Sequence, residues 1–236
     1  MAHVDFEERD GIGVVTFARP PANAIDLEFV QDLVAALTAA EGADSVRAVV
    51  VTGRGPCFSA GIDTKVVPTY GAADQRSMIL GVDRVVHCLY GLPKPVVAAV
   101  NGHALGGGLV LAIAADFRVM TTESCKLGLT EVTAGISFPA APMVVISAEL
   151  APETARALTL SGRVFGPREA EAMGIADELA ASDALVSRAC ERAGMLARAP
   201  AYAAVKQQLR RDAITAIARI VDHEDDPLIG NWALGG

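Results

Sequence analysis

Valine-rich apolar runs alternate with helix-like segments along residues 1–150. Four of these runs predict β-strands, at residues 13–17, 47–52, 95–101 and 116–121. A helix is predicted at residues 26–40, capped by Asp26, and a second at residues 74–89. The apolar face predicted for the first helix consists of Leu27, Val30, Val34, Leu37 and Thr38. Strands that alternate with helices indicate an α/β fold.

Beyond residue 150 the pattern becomes wholly helical. Helices are predicted at residues 152–160, 167–173, 182–198 and 200–221. We therefore expect an α/β core over residues 1–150 and a helical segment over residues 151–236 that is not an independent domain. The acidic stretch 222–227 predicts a solvated turn, and the isolated Trp232 predicts that the last residues dock on the protein.

Composition narrows the range of functions. With 52% hydrophobic and 20% charged residues, the chain is globular rather than disordered. A net charge of -8 argues against nucleic acid and anionic membranes as partners. The longest apolar run, residues 105–115, is about half of the ~20 residues that a membrane span needs. The acidic first residues do not resemble an export signal, so we expect a cytoplasmic protein. Neither the cysteines nor the histidines have the spacing of metal ligands, and no metal site is predicted.

Three glycine-containing segments are candidates for chemistry. The first, residues 53–65, follows a strand and nearly matches the G-x-S-x-G nucleophile motif around Ser59. The second, residues 96–116, places three glycines at the start of an apolar helix, where free N–H groups can meet negative charge. The third, residues 126–139, places Glu131 among apolar residues and glycines, where burial would raise its pKa into the range of a proton-transfer base. Taken alone, the first segment is also compatible with an ordinary turn, the second with close helix–strand packing, and Glu131 of the third with a surface or capping residue.

Taken together, the three segments resemble the crotonase superfamily, which contains the enoyl-CoA hydratases and isomerases. The likeness rests on Phe-Ser-Ala-Gly-Ile-Asp-Thr-Lys at 58–65, Asn-Gly-His-Ala-Leu-Gly-Gly-Gly at 101–108 and Gly-Leu-Thr-Glu-Val-Thr-Ala-Gly-Ile at 128–136. It extends over nearly the whole chain. The resemblance implies a spiral of ββα units followed by helices that build homotrimers or hexamers. It also implies a substrate attached to coenzyme A as a thioester.

The resemblance further implies an oxyanion hole, formed by the backbone N–H groups of Ile62 and Gly107. Preorganised donors of this kind stabilise enolate charge and are worth ~3–4 kcal/mol each. The coenzyme A moiety is expected to lie against Ala22, Ala24, Ala60, Ile62, Asp63, Thr64, Lys65 and Gly107. Among these, Lys65 is expected to lie near its phosphates.

One departure from the family's hydratases favours another reaction. Hydratases of this family carry two glutamates, and this chain has Val110 at the first position and Glu131 at the second. A valine can neither orient water nor carry a proton. One carboxylate suffices to move a proton within a 3-enoyl thioester, and the segment around Glu131 also looks like that of the 3,2-enoyl-CoA isomerases. We therefore expect an isomerase that needs no metal or redox cofactor, with a hydratase as the nearest alternative.

Two remote alternatives remain at the level of sequence. One is a serine hydrolase built on Ser59, with Asp63 or Asp83 and with His103. The other is a family member without catalytic activity. The absence of coenzyme A binding would favour this second alternative over an enzyme.

Overall fold

The structure is a computed structural model that describes residues 2–230 and residue 232. Its strands are β1 (Val4–Arg9), β2 (Ile12–Phe17), β3 (Ala48–Gly53), β4 (Cys57–Ser59), β5 (Val96–Val100), β6 (His103–Leu105), β7 (Phe117–Thr121), β8 (Leu127–Gly128) and β9 (Glu178–Ala180). Its helices are α1 (Leu27–Gly42), α2 (Ala72–Gly91), α3 (Gly107–Ala114), α4 (Glu131–Ala134), α5 (Ala140–Glu149), α6 (Pro152–Ser161), α7 (Pro167–Ala172), α8 (Leu185–Leu196), α9 (Tyr202–Leu209) and α10 (Arg211–His223).

The large sheet has six strands in the order β1-β2-β3-β5-β7-β9, and only the β1–β2 pair is antiparallel. All four predicted strands are confirmed as β2, β3, β5 and β7. The sequences of these strands are continuous apolar runs because both faces of the sheet are covered. One face packs against α8, and the other faces the larger core formed with α1, α2, α3 and α5.

The predicted spiral of ββα units is confirmed. Each of three units has a strand in the large sheet, a short strand in a second sheet and then a helix: β3-β4-α2, β5-β6-α3 and β7-β8-α4. The second sheet is parallel, in the order β4-β6-β8. Because its strands are parallel, the three chain segments that follow them leave the same edge.

Both predicted N-terminal helices are confirmed as α1 and α2. Asp26 caps α1 as expected, since its carboxylate accepts a hydrogen bond from the N–H of Phe29 at 2.9 Å. The predicted face of α1 is only partly right. The residues of α1 that are buried are Phe29, Val30, Leu33, Ala36, Leu37 and Ala40, whereas Thr38 bonds back to the carbonyl of Val34 in an exposed position. Helix α1 packs against both the sheet and α2. Its buried face is therefore wider than the predicted face.

The C-terminal part differs from the prediction in three places. It is not wholly helical, because β9 pairs with β7 and completes the large sheet. The single helix predicted at residues 200–221 is two helices, α9 and α10, which meet at Arg210. The acidic stretch 222–227 is not fully solvated, since Asp226 is 3% exposed and accepts hydrogen bonds from the N–H groups of Ala140 and Leu228.

The prediction that the chain end docks is confirmed at Trp232. Its side chain is buried, and its indole N–H lies 3.4 Å from the carbonyl oxygen of Ser137. Among the described residues, no helix combines the length and the apolar character required to cross a membrane. The trimeric or hexameric assembly stays a prediction.

Candidate active site

The second sheet brings the three candidate segments together. Strand β4 ends three residues before Ile62, β6 ends two residues before Gly107, and β8 ends three residues before Glu131. Leu105 at the end of β6 lies opposite Gly128 at the end of β8. We call the group of Ile62, Gly107 and Glu131 the catalytic edge. The sequence prediction that these three residues belong to one site agrees with this placement.

Glycines allow the segments of the catalytic edge to approach each other closely. Gly61 has a φ of +79°, and a Cβ there would lie 2.6 Å from the carbonyl oxygen of Leu105 and 3.2 Å from the nitrogen of Gly107. Gly106 has a φ of +52°, and a Cβ there would lie 3.0 Å from Oε1 of Glu131. A side chain at position 61 would clash with the backbone, one at position 106 would crowd the Glu131 carboxylate, and both would be strained by the backbone conformation.

The two backbone N–H groups of the predicted oxyanion hole have no acceptor among the described residues. Ile25 forms hydrogen bonds with the two residues that flank Ile62. Its N–H donates to the carbonyl of Gly61 at 2.8 Å, and its carbonyl accepts the N–H of Asp63 at 2.9 Å. The N–H of Ile62 itself therefore points away from Ile25. Gly107 is the first residue of α3, where an N–H has no partner within the helix. Both N–H groups are free to donate hydrogen bonds to a negatively charged oxygen.

Glu131 is a buried and largely unpaired carboxylate. It is 7% exposed, and its Oε2 has no hydrogen-bond partner in the described structure. Burial raises its pKa to about 7, against a smaller opposing effect of its own backbone N–H. The sequence-based expectation of a raised pKa is confirmed. At neutral pH such a group is present in both its acid and its base form, which suits it to take up a proton and return it.

A narrow apolar cavity with a volume of about 30 Å³ adjoins Ile62 and Gly107. Its walls contain no charged residue: they are Ile25, Phe29, Val30, Ile62, Val82, Val85, Val86, Gly107, Val110, Leu111 and Pro142. Val110 is 1% exposed and lies three residues after Gly107 on α3. The cavity suits the hydrocarbon part of a ligand whose polar head reaches Ile62 and Gly107.

Apart from Gly107 on α3, the residues predicted to cradle coenzyme A lie on two segments that are joined by hydrogen bonds. The N–H of Ala60 donates to the carbonyl of Ala22 at 3.0 Å, and the Ile25–Ile62 bridge continues the pairing past Ala24. Thr64 and Lys65 are exposed at the end of the second segment, which leaves the Lys65 ammonium available to a ligand. Their contact with coenzyme A stays a prediction.

Asp63 is occupied within the protein. Its carboxylate accepts the N–H groups of Lys65 and Val66 and lies 2.8 Å from the Arg19 guanidinium. Burial favours a higher pKa for Asp63, but the two N–H groups and Arg19 outweigh it, so the pKa lies below its ordinary value. The carboxylate therefore holds the turn of residues 63–66 in shape.

Two further residues that support the site escaped the sequence analysis. Arg19 bridges Asp63 and the helix cap Asp26, with both contacts at 2.8 Å. Asn23, with a φ of +50°, donates its side-chain amide to the carbonyls of Cys57 at 2.8 Å and Phe58 at 3.2 Å. Both lie within residues 19–23, but nothing in the sequence pairs Arg19 with Asp63, or Asn23 with residues 57 and 58, across more than thirty positions.

The serine-hydrolase alternative is wrong. Ser59 is fully buried, its hydroxyl donates to the carbonyl of Asn23 at 2.7 Å, and it accepts from the N–H of Gly61 at 3.2 Å. His103 uses Nδ1 to accept the N–H of Lys126. Asp83 accepts the N–H of Ala141 instead of orienting a histidine. These side chains are engaged separately and form no triad.

Comparisons with known proteins agree with this site. The profile of the family named enoyl-CoA hydratase/isomerase matches residues 7–227. The probable enoyl-CoA hydratase EchA17 of Mycobacterium tuberculosis is 34% identical over 199 residues, which cover 84% of this chain and 76% of the relative.

Solved structures are similar over nearly the whole fold. An enoyl-CoA isomerase of M. tuberculosis superposes with a TM-score of 0.85 at 32% identity, covering 94% of this chain and 96% of the other. Human mitochondrial delta3-delta2-enoyl-CoA isomerase gives a TM-score of 0.84 at 27% identity, covering 96% and 93%. Similar chains are thus named for both reactions.

Proposed function

The chain belongs to the enoyl-CoA hydratase/isomerase family, and we propose that it moves the double bond of a 3-enoyl-CoA thioester to the 2-position. The observation that carries this proposal is the pairing of one buried carboxylate, Glu131, with an apolar Val110 beside the unpaired N–H groups of Ile62 and Gly107. A second carboxylate at the position of Val110 would be needed for the two-glutamate arrangement of hydratases.

In the proposed reaction the thioester oxygen accepts hydrogen bonds from the backbone N–H groups of Ile62 and Gly107. Glu131 removes a proton from C2, the electron pair of that C–H bond forms a C1–C2 double bond, and the carbonyl π electrons move onto the thioester oxygen. When the carbonyl forms again, the C1–C2 π electrons shift to C2–C3 and the C3–C4 π electrons take up the proton from Glu131 at C4. Between these steps the dienolate charge rests on the thioester oxygen, where the two N–H groups stabilise it.

Glu131 has the properties that this proton shuttle requires. A pKa near 7 lets it act as a base toward C2 and then as an acid toward C4 without a large penalty in either direction. Its Oε2 lacks a protein partner in the described structure and is therefore available to a proton on the substrate. Proton transfer of this kind needs neither a metal nor a redox cofactor.

The apolar cavity supports the choice of isomerase over hydratase. Val110 stands where a second glutamate would hold a water molecule, and no side chain that lines the cavity offers water a hydrogen-bond partner. A dry cavity protects the dienolate from competing reactions with water.

The test is a direct comparison of both reactions. Purified protein is incubated with matched 2-enoyl-CoA and 3-enoyl-CoA thioesters, and double-bond migration and water addition are followed separately. We expect isomerisation to exceed hydration by ~10²-fold or more, the contribution typical of a positioned acid–base group. Hydration at ~10 s⁻¹ or faster, a rate typical of efficient enzymes, would favour the hydratase instead.

A variant sharpens the comparison. Val110→Glu introduces the second carboxylate and is expected to raise the ratio of hydration to isomerisation. Val110→Gln is the matched control, because it has a similar size but no ionisable group. Equal ratios in the wild type and both variants would show that position 110 does not select the reaction.

A further inference from the structure

One side chain lines both the apolar cavity beside Ile62 and Gly107 and a second, larger groove. The outer groove has a volume of about 440 Å³ and lies between α1 and α2, near the end of α10. Its apolar floor includes Leu27, Val34 and Leu80, and Arg84 and Glu224 also line it. Val30 lines both the groove and the inner cavity.

Gly81 on α2 lets the two helices close around Val30. A Cβ built on Gly81 would lie 2.4 Å from Cγ1 of Val30 and 3.6 Å from its Cβ. The Val30 branch therefore fills the space that a side chain at position 81 would occupy. Val30 is 2% exposed, and a β-branched residue on a helix has one strongly preferred side-chain rotamer. The wall between the two cavities is thus narrow and stiff.

We propose that Val30 determines the length of acyl chain that this protein accepts. This inference rests on the proposed function, because it assumes that the inner cavity holds the hydrocarbon chain of an acyl-CoA. Each methylene that enters the inner cavity should strengthen binding by about fourfold. A chain that reaches Val30 can gain no further buried contact without displacing this side chain, so the protein is selective for short chains.

The test uses saturated acyl-CoA thioesters from butyryl to palmitoyl, whose binding does not depend on any reaction. For the wild type we expect the affinity to rise with each added methylene and then to stop rising at a chain length well short of palmitoyl. A wild-type affinity that rises by about fourfold per methylene throughout the series would overturn the inference without any variant.

Val30→Ala should join the inner cavity to the outer groove. We expect the rise in affinity to continue for at least two more methylenes, which corresponds to at least a ~10-fold gain for the longest chains relative to the wild type. The double variant V30A/G81A should restore the wild-type limit, because the new methyl group lies 2.4 Å from the position of the lost Cγ1 and fills part of the same space. If Val30→Ala and V30A/G81A had the same chain-length limit, the role of Val30 as a wall would be contradicted.

Val34→Ala is the matched control. Val34 lies one turn further along α1 and lines only the outer groove, so the same truncation should leave the chain-length limit unchanged. A shift in Val34→Ala as large as that in Val30→Ala would attribute the effect to loosened helix packing.

The same protein preparations are assayed for turnover of 3-enoyl thioesters of matched length. If the binding series shows the expected limit and its shift in Val30→Ala, but no thioester is isomerised, the proposed reaction fails and the role of Val30 stands. If isomerisation occurs but Val30→Ala leaves the limit unchanged, the role of Val30 fails alone. A wild type that binds no acyl-CoA of any length overturns both.

Discussion

Two sites in this protein differ in how the charge of a carboxylate with little exposure to solvent is compensated. At the catalytic edge, Glu131 has an unpaired oxygen among apolar residues and glycines. In the C-terminal part, Asp116 and Glu149 meet two buried cations, Lys206 and Arg210, and we call these four residues the charge cluster.

The charge cluster neutralises its carboxylates locally. Asp116 lies 2.8 Å from Arg210 and 2.9 Å from Lys206, and it also accepts the N–H of Val96. Glu149 lies 3.1 Å from Arg210 and accepts the hydroxyl of Tyr90 at 2.7 Å. Burial lowers the pKa of Lys206, and the Asp116 carboxylate opposes this effect.

This difference shows how the same residue type serves two purposes. Ion pairing ties α9 and α10 to the end of the sheet, and removing one carboxylate leaves the buried cations only partly compensated. Glu131 has no ion pair in the described structure, which leaves it able to change its protonation state near neutral pH. The cluster should therefore control stability and the edge should control turnover.

The largest effect is expected from Asp116→Asn. This variant leaves Lys206 and Arg210 with one carboxylate between them, and we expect the free energy of unfolding to fall by ~3–5 kcal/mol. Urea denaturation measures this loss, while kcat of the folded protein should remain within a few-fold of the wild type. Asp5→Asn is the control, because its pair with Arg54 is exposed and should contribute ~0–1 kcal/mol. Equal losses in the two variants would contradict the role of the cluster.

Glu131→Gln should show the opposite pattern. Isomerisation and exchange of the C2 proton with deuterated solvent should fall by ~10²-fold or more, because the shape is kept and the base is lost. The thermal stability at pH 8 should not fall, since the raised pKa of Glu131 makes its ionised form unfavourable in the folded protein. Glu153→Gln, an exposed glutamate in the first turn of α6, is the matched control. Full activity of Glu131→Gln would remove this residue from the mechanism.

Gly107→Pro deletes one N–H of the proposed oxyanion hole. Proline is well tolerated at the first position of a helix, so the fold should survive. We expect turnover to fall by ~10²-fold or more. Gly107→Ala keeps the N–H and adds a Cβ that would lie 3.3 Å from Cδ1 of Ile25, so it controls for the added bulk. If alanine reduced turnover as much as proline, crowding rather than the lost donor would explain the result.

Asp83 lies outside both sites, and like Glu131 it is a buried carboxyl group whose pKa is raised. It is fully buried, and burial raises its pKa to about 8, with the N–H of Ala141 opposing and the nearby Asp226 and Asp225 reinforcing the shift. A folded-state pKa above the ordinary 3.8 means that the folded protein binds the proton more tightly. Its contribution to stability is therefore complete at low pH and is lost as the pH rises toward 8, at up to about 1.4 kcal/mol per pH unit.

The free energy of unfolding measured between pH 5 and 8 tests this point. Asp83→Asn should flatten the decline with pH, and Glu131→Gln should remove a smaller part of it, since Glu131 shifts in the same direction. An unchanged slope in Asp83→Asn would contradict the assignment.

The smallest effect is expected from the exposed Lys65. Lys65→Ala should raise KM by a few-fold in a salt-dependent way with kcat nearly unchanged, because an exposed ammonium near a phosphate acts through screened charge. Arg198→Ala, an exposed cation after α8, is the control and should leave KM as it is. A large loss in kcat for Lys65→Ala would place this residue in the chemistry.

The sequence by itself determined the α/β class, the four central strands and the three segments of the catalytic edge. These features are local: valine-rich runs form buried strands, glycines mark the close approaches, and Asp26 caps the helix that follows it. The family resemblance connected Ile62, Gly107 and Glu131, and the ends of β4, β6 and β8 agree with that connection. A residue pattern is enough to predict a structural feature when that feature depends on residues that are neighbours in the chain.

The tertiary structure alone decided the features that join distant residues. Arg19 meets Asp63 44 positions away, and Lys206 meets Asp116 90 positions away. The acidic stretch 222–227 predicted a solvated turn, yet Asp226 lies buried beside Asp83, because burial depends on what packs over a residue. Val30 separates two cavities only because Gly81 on another helix allows close contact. No local pattern encodes these pairings, since each arises from the packing of elements that are far apart in the sequence.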